Sequence, residues 1–263
     1  MKILFVGDVV GKVGRKALTK SLSFIKDNCK IDFVIVNGEN ITNGRGMNQN
    51  HYHFLCELPI NCITLGNHYK DKDEIINVLD NDNIVRPLNI VGSFPGEGSR
   101  SYAVKGKTIR VINLLGTAFM KEEVKDPYIE AIRLLENDKS DIRIIDFHAE
   151  ATGEKKAFAY SLKEKVTAVL GTHTHVQTCD NQILNTGIAY ITDVGMCGSY
   201  NSVLGDEINS VVGRITLHDP SSRFKLLEDD DMIFNAVIID IDDITNKAKS
   251  IKRINLLNGK EYE

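Results

Sequence analysis

Short β-branched runs alternate with longer amphipathic stretches along most of this chain, and that rhythm leaves few folds open. KILFV (2–6) precedes an expected helix from Arg15 to Asn28, and DFVIVN (32–37) precedes a polar loop and a helix near 49–57. NCITLG (61–66) leads into KDKDEIINVLDN (70–81), whose apolar spacing is helical. SYAVKG and TIRVINLLG, separated by the turn KGK, read as a hairpin. PYIEAIRLLEND (127–138) reads as a helix before the strand IRIIDFH (142–148), and KKAFAYSLKEKV (155–166) as a helix before TAVLG. GIAYITDVG adds a strand, and two more are expected near 210–216 and over NAVIIDID (235–242). Strand, loop and helix in this order predict an α/β fold of βαβ units around a parallel or mixed sheet.

Length and composition bound the rest. At 263 residues, 42% hydrophobic and 26% charged, the chain can bury an ordinary core and is read as one domain over 1–263. The segment around 81–100 is its one candidate excursion, a small cap or lid. A net charge of −4 without a lysine–arginine block argues against duplex DNA as a partner and leaves a small nucleotide or short RNA. The five cysteines are scattered without a CxxC pair, which suits a reducing cytoplasm. No apolar run approaches the ~18 residues of a membrane span.

The polar residues cluster at strand ends. ILFVGD ends in Asp8, FVIVNGEN in Glu39 and Asn40, ITLGNH in Asn67 and His68, IIDFH in His148, and AVLGTHTH in His173 and His175. Ligands of α/β sheets bind outside the carboxyl ends of strands, where such loops converge. Alone, each motif has an ordinary reading: GD and GEN as turns or caps, His148 as a buried, satisfied histidine. Alternation on an extended segment points His173 and His175 to one side. Together they offer carboxylate, amide and imidazole donors without thiols, the donor set of iron, manganese, zinc or nickel. Two divalent ions roughly 3.5–4 Å apart need a shared anionic ligand and further ligands each, and these seven side chains besides His68 suffice.

This set resembles the calcineurin-like metallophosphoesterase superfamily, whose pattern runs D-x-H, G-D, G-N-H-[DE], H and G-H-x-H. Here Val10 stands in place of the D-x-H histidine, and GEN carries glutamate where the superfamily has aspartate. Both departures match one subgroup, the YmdB-like phosphodiesterases, which FVGDVVGKVGR, NGENITNGRG, ITLGNH, DFHAEAT, GTHTHVQT and AYITDVGMCG resemble over almost the whole length. The resemblance implies a four-layer αββα fold, a β-sandwich core flanked by helices. It also implies two divalent metals, iron or manganese with zinc as a further candidate, and hydrolysis of phosphodiesters including 2′,3′-cyclic nucleotides. Carried over by position, Glu39 serves both ions; Asp8, Asn40 and His175 hold one, and Asn67, His148 and His173 the other. His68 corresponds to the proton donor.

Such ions neutralise the anionic oxygens that repel a nucleophile, and an imidazolium at His68 protonates the leaving oxygen. The acids Asp71 and Asp73 are read as caps of the helix expected near 71, with a role in charging His68 as the alternative. Arg45 and Arg86 are candidates for phosphate contact or for structural roles. THVQT and TDVG are expected at the substrate mouth, and EDDDM as a solvated acidic turn. NLLGTAFM (113–120) either forms a homo-oligomer interface or packs under the 81–100 excursion. The alternatives to a phosphodiesterase are a phosphomonoesterase or nucleotidase on the same metals, and a regulatory RNA-associated protein with a structural metal site.

Overall fold

The structure, a computed structural model, describes residues 1–261; the last two residues of the expected 1–263 domain lie outside the described residues. In chain order its elements are β1 (Lys2–Val6), β2 (Asp8–Val9), α1 (Gly11–Cys29), β3 (Phe33–Asn37), α2 (Gln49–Cys56), β4 (Cys62–Thr64) and β5 (Ile84–Val85). There follow β6 (Ser99–Val104), β7 (Lys107–Leu115), α3 (Pro127–Glu136), β8 (Ile142–His148), α4 (Thr152–Ser161), β9 (Ala168–Thr172) and β10 (Gln182–Ile183). The last are β11 (Ala189–Ile191), β12 (Met196–Ser199), α5 (Ile208–Val211), β13 (Met232–Ile241), β14 (Ala248–Leu257) and β15 (Lys260–Glu261).

Two sheets form. One runs β15-β14-β13-β1-β3-β4-β5, with β12 joining β13 and β2; the other runs β10-β11-β9-β8-β7-β6. Strands β1, β3, β4 and β5 are mutually parallel, as are β7, β8, β9 and β11. Alternation then sorts the side chains. Ile3, Phe5, Phe33 and Ile35 face Val111, Ile144 and Leu170 between the sheets. Leu4, Val6, Val34 and Val36 turn to the opposite face, against Val13, Leu18 and Leu22 of α1 and Leu55 of α2. On the far face of the second sheet, Ile112, Ile145 and Phe147 meet Ala131 of α3 and Phe158 of α4. Helix, sheet, sheet, helix is the expected αββα order. Each aliphatic side chain so withdrawn contributes about 1.5–3 kcal/mol.

Several local expectations shift for physical reasons. Helix α1 starts at Gly11, ahead of Arg15, because Gly14 lets it press on β12: a Cβ there would lie 2.4 Å from the Cys197 carbonyl oxygen. Helix α4 covers 152–161 and stops ahead of Val166, where Lys163 adopts a left-handed φ of 48°. Residues 70–81 make only a 3₁₀ segment, Asp73–Asn77, although Ile75, Val78 and Leu79 are buried at the spacing that suggested a helix. The strand expected at 210–216 is helical. That segment closes its own hydrogen bonds (Val211 N–H to Glu207 O, 3.2 Å; Leu217 N–H to Val212 O, 3.0 Å) and leaves Ile215 and Leu217 in solvent. The strand expected over 235–242 is part of β13, which pairs with β14 in an antiparallel hairpin whose second arm, AKSIKRINLL, the sequence reading missed. No helix among the described residues is long and apolar enough to cross a membrane.

Candidate metal centre

Parallel pairing within each sheet puts the carboxyl ends of β1, β3 and β4 beside those of β8 and β9, and the polar residues after them meet there. His148 is fully buried at the centre. Its Nε2 lies 3.1 Å from Glu39 Oε1, 2.9 Å from Asn67 Oδ1 and 3.0 Å from His173 Nδ1. Ligand atoms of Glu39, His148 and His173 all fall within 4.8 Å of one another. Asp8 Oδ1 is 3.8 Å from His148 Nδ1, and Asp8 Oδ2 accepts the His173 N–H at 3.2 Å, clasping one sheet to the other. Asn40 and His175 line the same cleft, of about 570 Å³, with Glu39, His68 and His173. All eight residues expected at the site are therefore gathered at one place.

Outer contacts fix which atom of each ring faces the centre. His148 Nδ1 lies 2.9 Å from Thr172 Oγ1, which donates to Asp146 Oδ1 at 2.6 Å, leaving Nε2 inward. His173 turns Nε2 to Glu150 at 3.2 Å and Nδ1 inward. His175 Nδ1 lies 3.1 Å from the Leu204 carbonyl oxygen, which frees its Nε2. Such partners set the tautomer and basicity of a ligating imidazole. Gly66 leaves no room for a side chain: a Cβ would lie 2.1 Å from Glu39 Oε2 and 2.5 Å from His148 Nε2.

Burial of carboxylates and imidazoles side by side sets the electrostatics of the cluster. Burial pushes Asp8 up to about 7, against the pull of His175 and His148. Burial also works to raise Glu39, yet the His148 imidazolium and the His68 N–H hold it at about 2. Burial disfavours charge on His148, but Glu39 and then Asp8 raise it to about 9. Burial and the neighbouring His148 charge press His173 down to about 3. Among the described residues, Asp8 Oδ1 and Asn40 Oδ1 are buried acceptors without any hydrogen-bond partner. Orphaned oxygens of this kind cost about 1–3 kcal/mol each. Lone pairs crowded around a shared proton, beside two orphaned oxygens, fit divalent cations. A cation held by these atoms at pH 7 would displace the His148 proton and part of the Asp8 proton. Calorimetry in buffers of different ionisation enthalpy should show release of roughly one to two protons, with affinity rising as pH climbs toward 9. Binding without proton release would contradict this ligand set.

Around this core lie residues the sequence reading missed or misplaced. Asp146 is fully buried and accepts from Thr64 Oγ1 and Asn37 Nδ2 of the other sheet at 2.5 and 3.0 Å. A lone acid in the apolar run IIDFH was its available signal. Lys155 of α4, wholly buried, donates to the Thr172 carbonyl at 2.7 Å and to Asp193 Oδ2 at 2.8 Å. Asp193 also accepts the Thr174 and Gly195 N–H groups at 3.0 and 2.8 Å. The TDVG segment is thus a buried support for the histidine loop, not part of the mouth. Asp71 does not cap a helix; it accepts from His68 Nδ1 at 2.9 Å and from Arg45 Nε at 3.0 Å. Arg86 is structural, donating to the Pro87, Phe94 and Pro95 carbonyls. Among the described residues, none from 81–100 lines the 570 Å³ cleft. Asn113, Leu114 and Leu115 are core residues of β7, while Phe119 is exposed.

Comparison with known proteins agrees with this geometry. The YmdB-like protein family matches residues 4–254. A protein of Bacillus subtilis (strain 168) named 2′,3′-cyclic-nucleotide 2′-phosphodiesterase is 42% identical over 257 residues, 97% of this chain and 96% of that one. A Mycoplasma pneumoniae protein described as a novel phosphatase superposes with a TM-score of 0.92 at 37% identity, covering 98% of this chain and 93% of that one. A hypothetical protein from Thermus thermophilus gives 0.92 at 35% identity, covering 98% and 99%. At 11% identity and a TM-score of 0.58, the calcineurin-like phosphoesterase YfkN of Bacillus subtilis shares the fold over 98% of this chain and 90% of its own. By its sequence over nearly its full length, and by the αββα sandwich that carries the centre, the chain belongs to the YmdB-like family within the calcineurin-like phosphoesterase fold.

Proposed function

We propose that the protein is a metal-dependent phosphodiesterase hydrolysing small nucleotide phosphodiesters, 2′,3′-cyclic nucleotides among them. One observation carries this reading: carboxylate, carboxamide and imidazole donors from both sheets converge on His148, with a further histidine, His68, held at the cleft by its own carboxylate. The name of the Bacillus subtilis relative supports the substrate class. In this reading the enzyme works in a reducing cytoplasm and takes iron or manganese, with zinc as the substitute.

Glu39 would be shared by two ions; Asp8, Asn40 and His175 would complete one set and Asn67, His148 and His173 the other. Bound there, the ions would supply charge neutralisation at the phosphoryl oxygens and activation of water. The chain's own contribution is positioning and proton transfer. The His68 backbone N–H donates to Glu39 Oε2 at 3.1 Å, which ties its position to the centre. Asp71 accepts from Nδ1 and orients the ring, which leaves Nε2–H to donate to the departing oxygen. Arg45, exposed and paired with Asp71 at 3.0 Å, lines the cleft where an anionic substrate enters.

The reading is tested by metal analysis of the purified protein together with hydrolysis of 2′,3′-cyclic AMP and bis(p-nitrophenyl) phosphate. About two metals per chain and turnover of both are expected; two metals with no phosphoester turnover would overturn it. His68→Gln should keep the metals and lower kcat for 2′,3′-cyclic AMP about 10²–10⁴-fold. With bis(p-nitrophenyl) phosphate the loss should be smaller, since p-nitrophenolate departs without a proton. Equal losses on both substrates would remove His68 from the role of acid.

A further inference from the structure

A second cavity, of about 350 Å³, adjoins the first, and the two share Arg45, His68 and His173. The metal centre therefore sits at the junction of two arms. Each arm is within the roughly 300–1,000 Å³ of small-ligand pockets. Each also presents an exposed phenylalanine: Phe224 in the larger arm, 58% exposed, and Phe119 in the smaller, 88% exposed.

Neither ring is held out by accident. Phe119 has a left-handed φ of 63°, a conformation that costs a non-glycine residue strain and persists where the surroundings impose it. The loop carrying Phe224 is pinned on its far side. Leu226 seats where Gly11 and Gly44 lack side chains, the Leu227 N–H donates to the Gly205 carbonyl at 2.9 Å, and Lys225 Nζ pairs with Glu207 at 2.7 Å. Fixed backbones that hold large apolar rings in water on both sides of a catalytic centre are the features of stacking platforms for bases.

Building on the phosphodiesterase reading, we infer that the cleft accepts a phosphodiester flanked by a base on each side, a linear dinucleotide or short single-stranded RNA, with Phe119 and Phe224 stacking one base each. A cyclic mononucleotide, with its single base, fills one arm only. Hydrolysis of the linear diester adds water across one P–O bond. The hydroxide oxygen bonds to phosphorus, the ribose oxygen leaves with the proton, and a nucleotide monophosphate and a shorter product are released. Lys121 in the smaller arm and Arg45 at the junction supply positive charge along that path.

The test is steady-state hydrolysis by the metal-loaded protein of adenylyl-(3′→5′)-adenosine and of 2′,3′-cyclic AMP, with Phe119→Ala, Phe224→Ala and the corresponding Trp variants. The linear dinucleotide should be hydrolysed. Each alanine variant should lower its kcat/KM about 5- to 150-fold, the range of one base–aromatic stack, and tryptophan should restore it. The ratio of dinucleotide to cyclic AMP efficiency should fall in at least one alanine variant. Turnover of cyclic AMP without the dinucleotide would overturn the two-armed reading and leave the phosphodiesterase standing. So would either alanine variant keeping dinucleotide kcat/KM within twofold. Failure on both substrates would instead remove the parent proposal.

Discussion

Glu39→Gln is expected to empty the centre and abolish turnover. The substitution is nearly isosteric, so the effect is chemical. Glu39 Oε2 accepts the His68 N–H at 3.1 Å and Oε1 faces His148 Nε2 at 3.1 Å. An amide can satisfy one of these positions as an acceptor but puts an N–H donor at the other. It also removes the anion that holds His148 charged in the free protein and would be shared by both ions in the loaded one. Mutating residues that merely orient metal ligands costs about 10–100-fold in affinity. Loss of the shared ligand should exceed about 100-fold, lowering metal from about two per chain to below one and taking activity to background. Metal analysis after dialysis, with circular dichroism to confirm an intact fold, gives the measurement. Two retained metals would exclude Glu39 as the shared ligand.

Lys155→Met should produce the largest loss of stability of any single change near the site. Its ammonium is paired with Asp193, and both side chains are sealed from water. Removing one partner of a buried pair strands the other and costs about 3–5 kcal/mol. The pair also ties the Thr172 carbonyl and the Thr174 N–H, between which His173 takes φ of 100°. His175, at φ 66°, follows directly. Conformations of this kind cost about 1–3 kcal/mol each and need support from around them. Midpoint temperature should fall by about 6–20 °C, and metal affinity should fall with it as the histidine loop relaxes. Replacing both residues, Lys155→Met with Asp193→Leu, should recover much of the stability, because no buried charge is left alone. A single-variant loss below about 1 kcal/mol would mean that water reaches Asp193.

What the sequence revealed and what it hid follow from the range of each interaction. The strand ends were legible because the chemistry there is local: an apolar β-branched run, a glycine, then a donor, repeated at Asp8, Glu39, Asn67 and, with small changes, His148 and His173. The layer behind them was not. Lys155 looks like any solvent-facing lysine of an amphipathic helix, and its partner Asp193 lies 38 positions away. Asp71 was assigned to a helix cap because Asp73–Asn77 has helical spacing, but the acid is turned back to His68 by the loop. Residues 210–216 carry strand-forming side chains, yet the backbone there closes helical hydrogen bonds of its own. In AKSIKRINLL, charges on the outer face diluted the apolar alternation. Local pattern located the donors; only tertiary contact selects their supports.

The antiparallel pairing of β1 with β13 has a consequence for biogenesis. Strand β1 leads directly into Asp8 of β2, but β1 lies between β3 and β13 (residues 232–241), and β2 pairs with residues 196–199. A nascent chain can therefore display Asp8, Glu39, Asn40, Asn67 and His148 while it still lacks the strands that pack them together. The cluster is complete only once β12 and β13 have joined β2 and β1. The late strands thus complete what the early ones begin, and the cluster is a property of the closed sandwich rather than of any one stretch of chain.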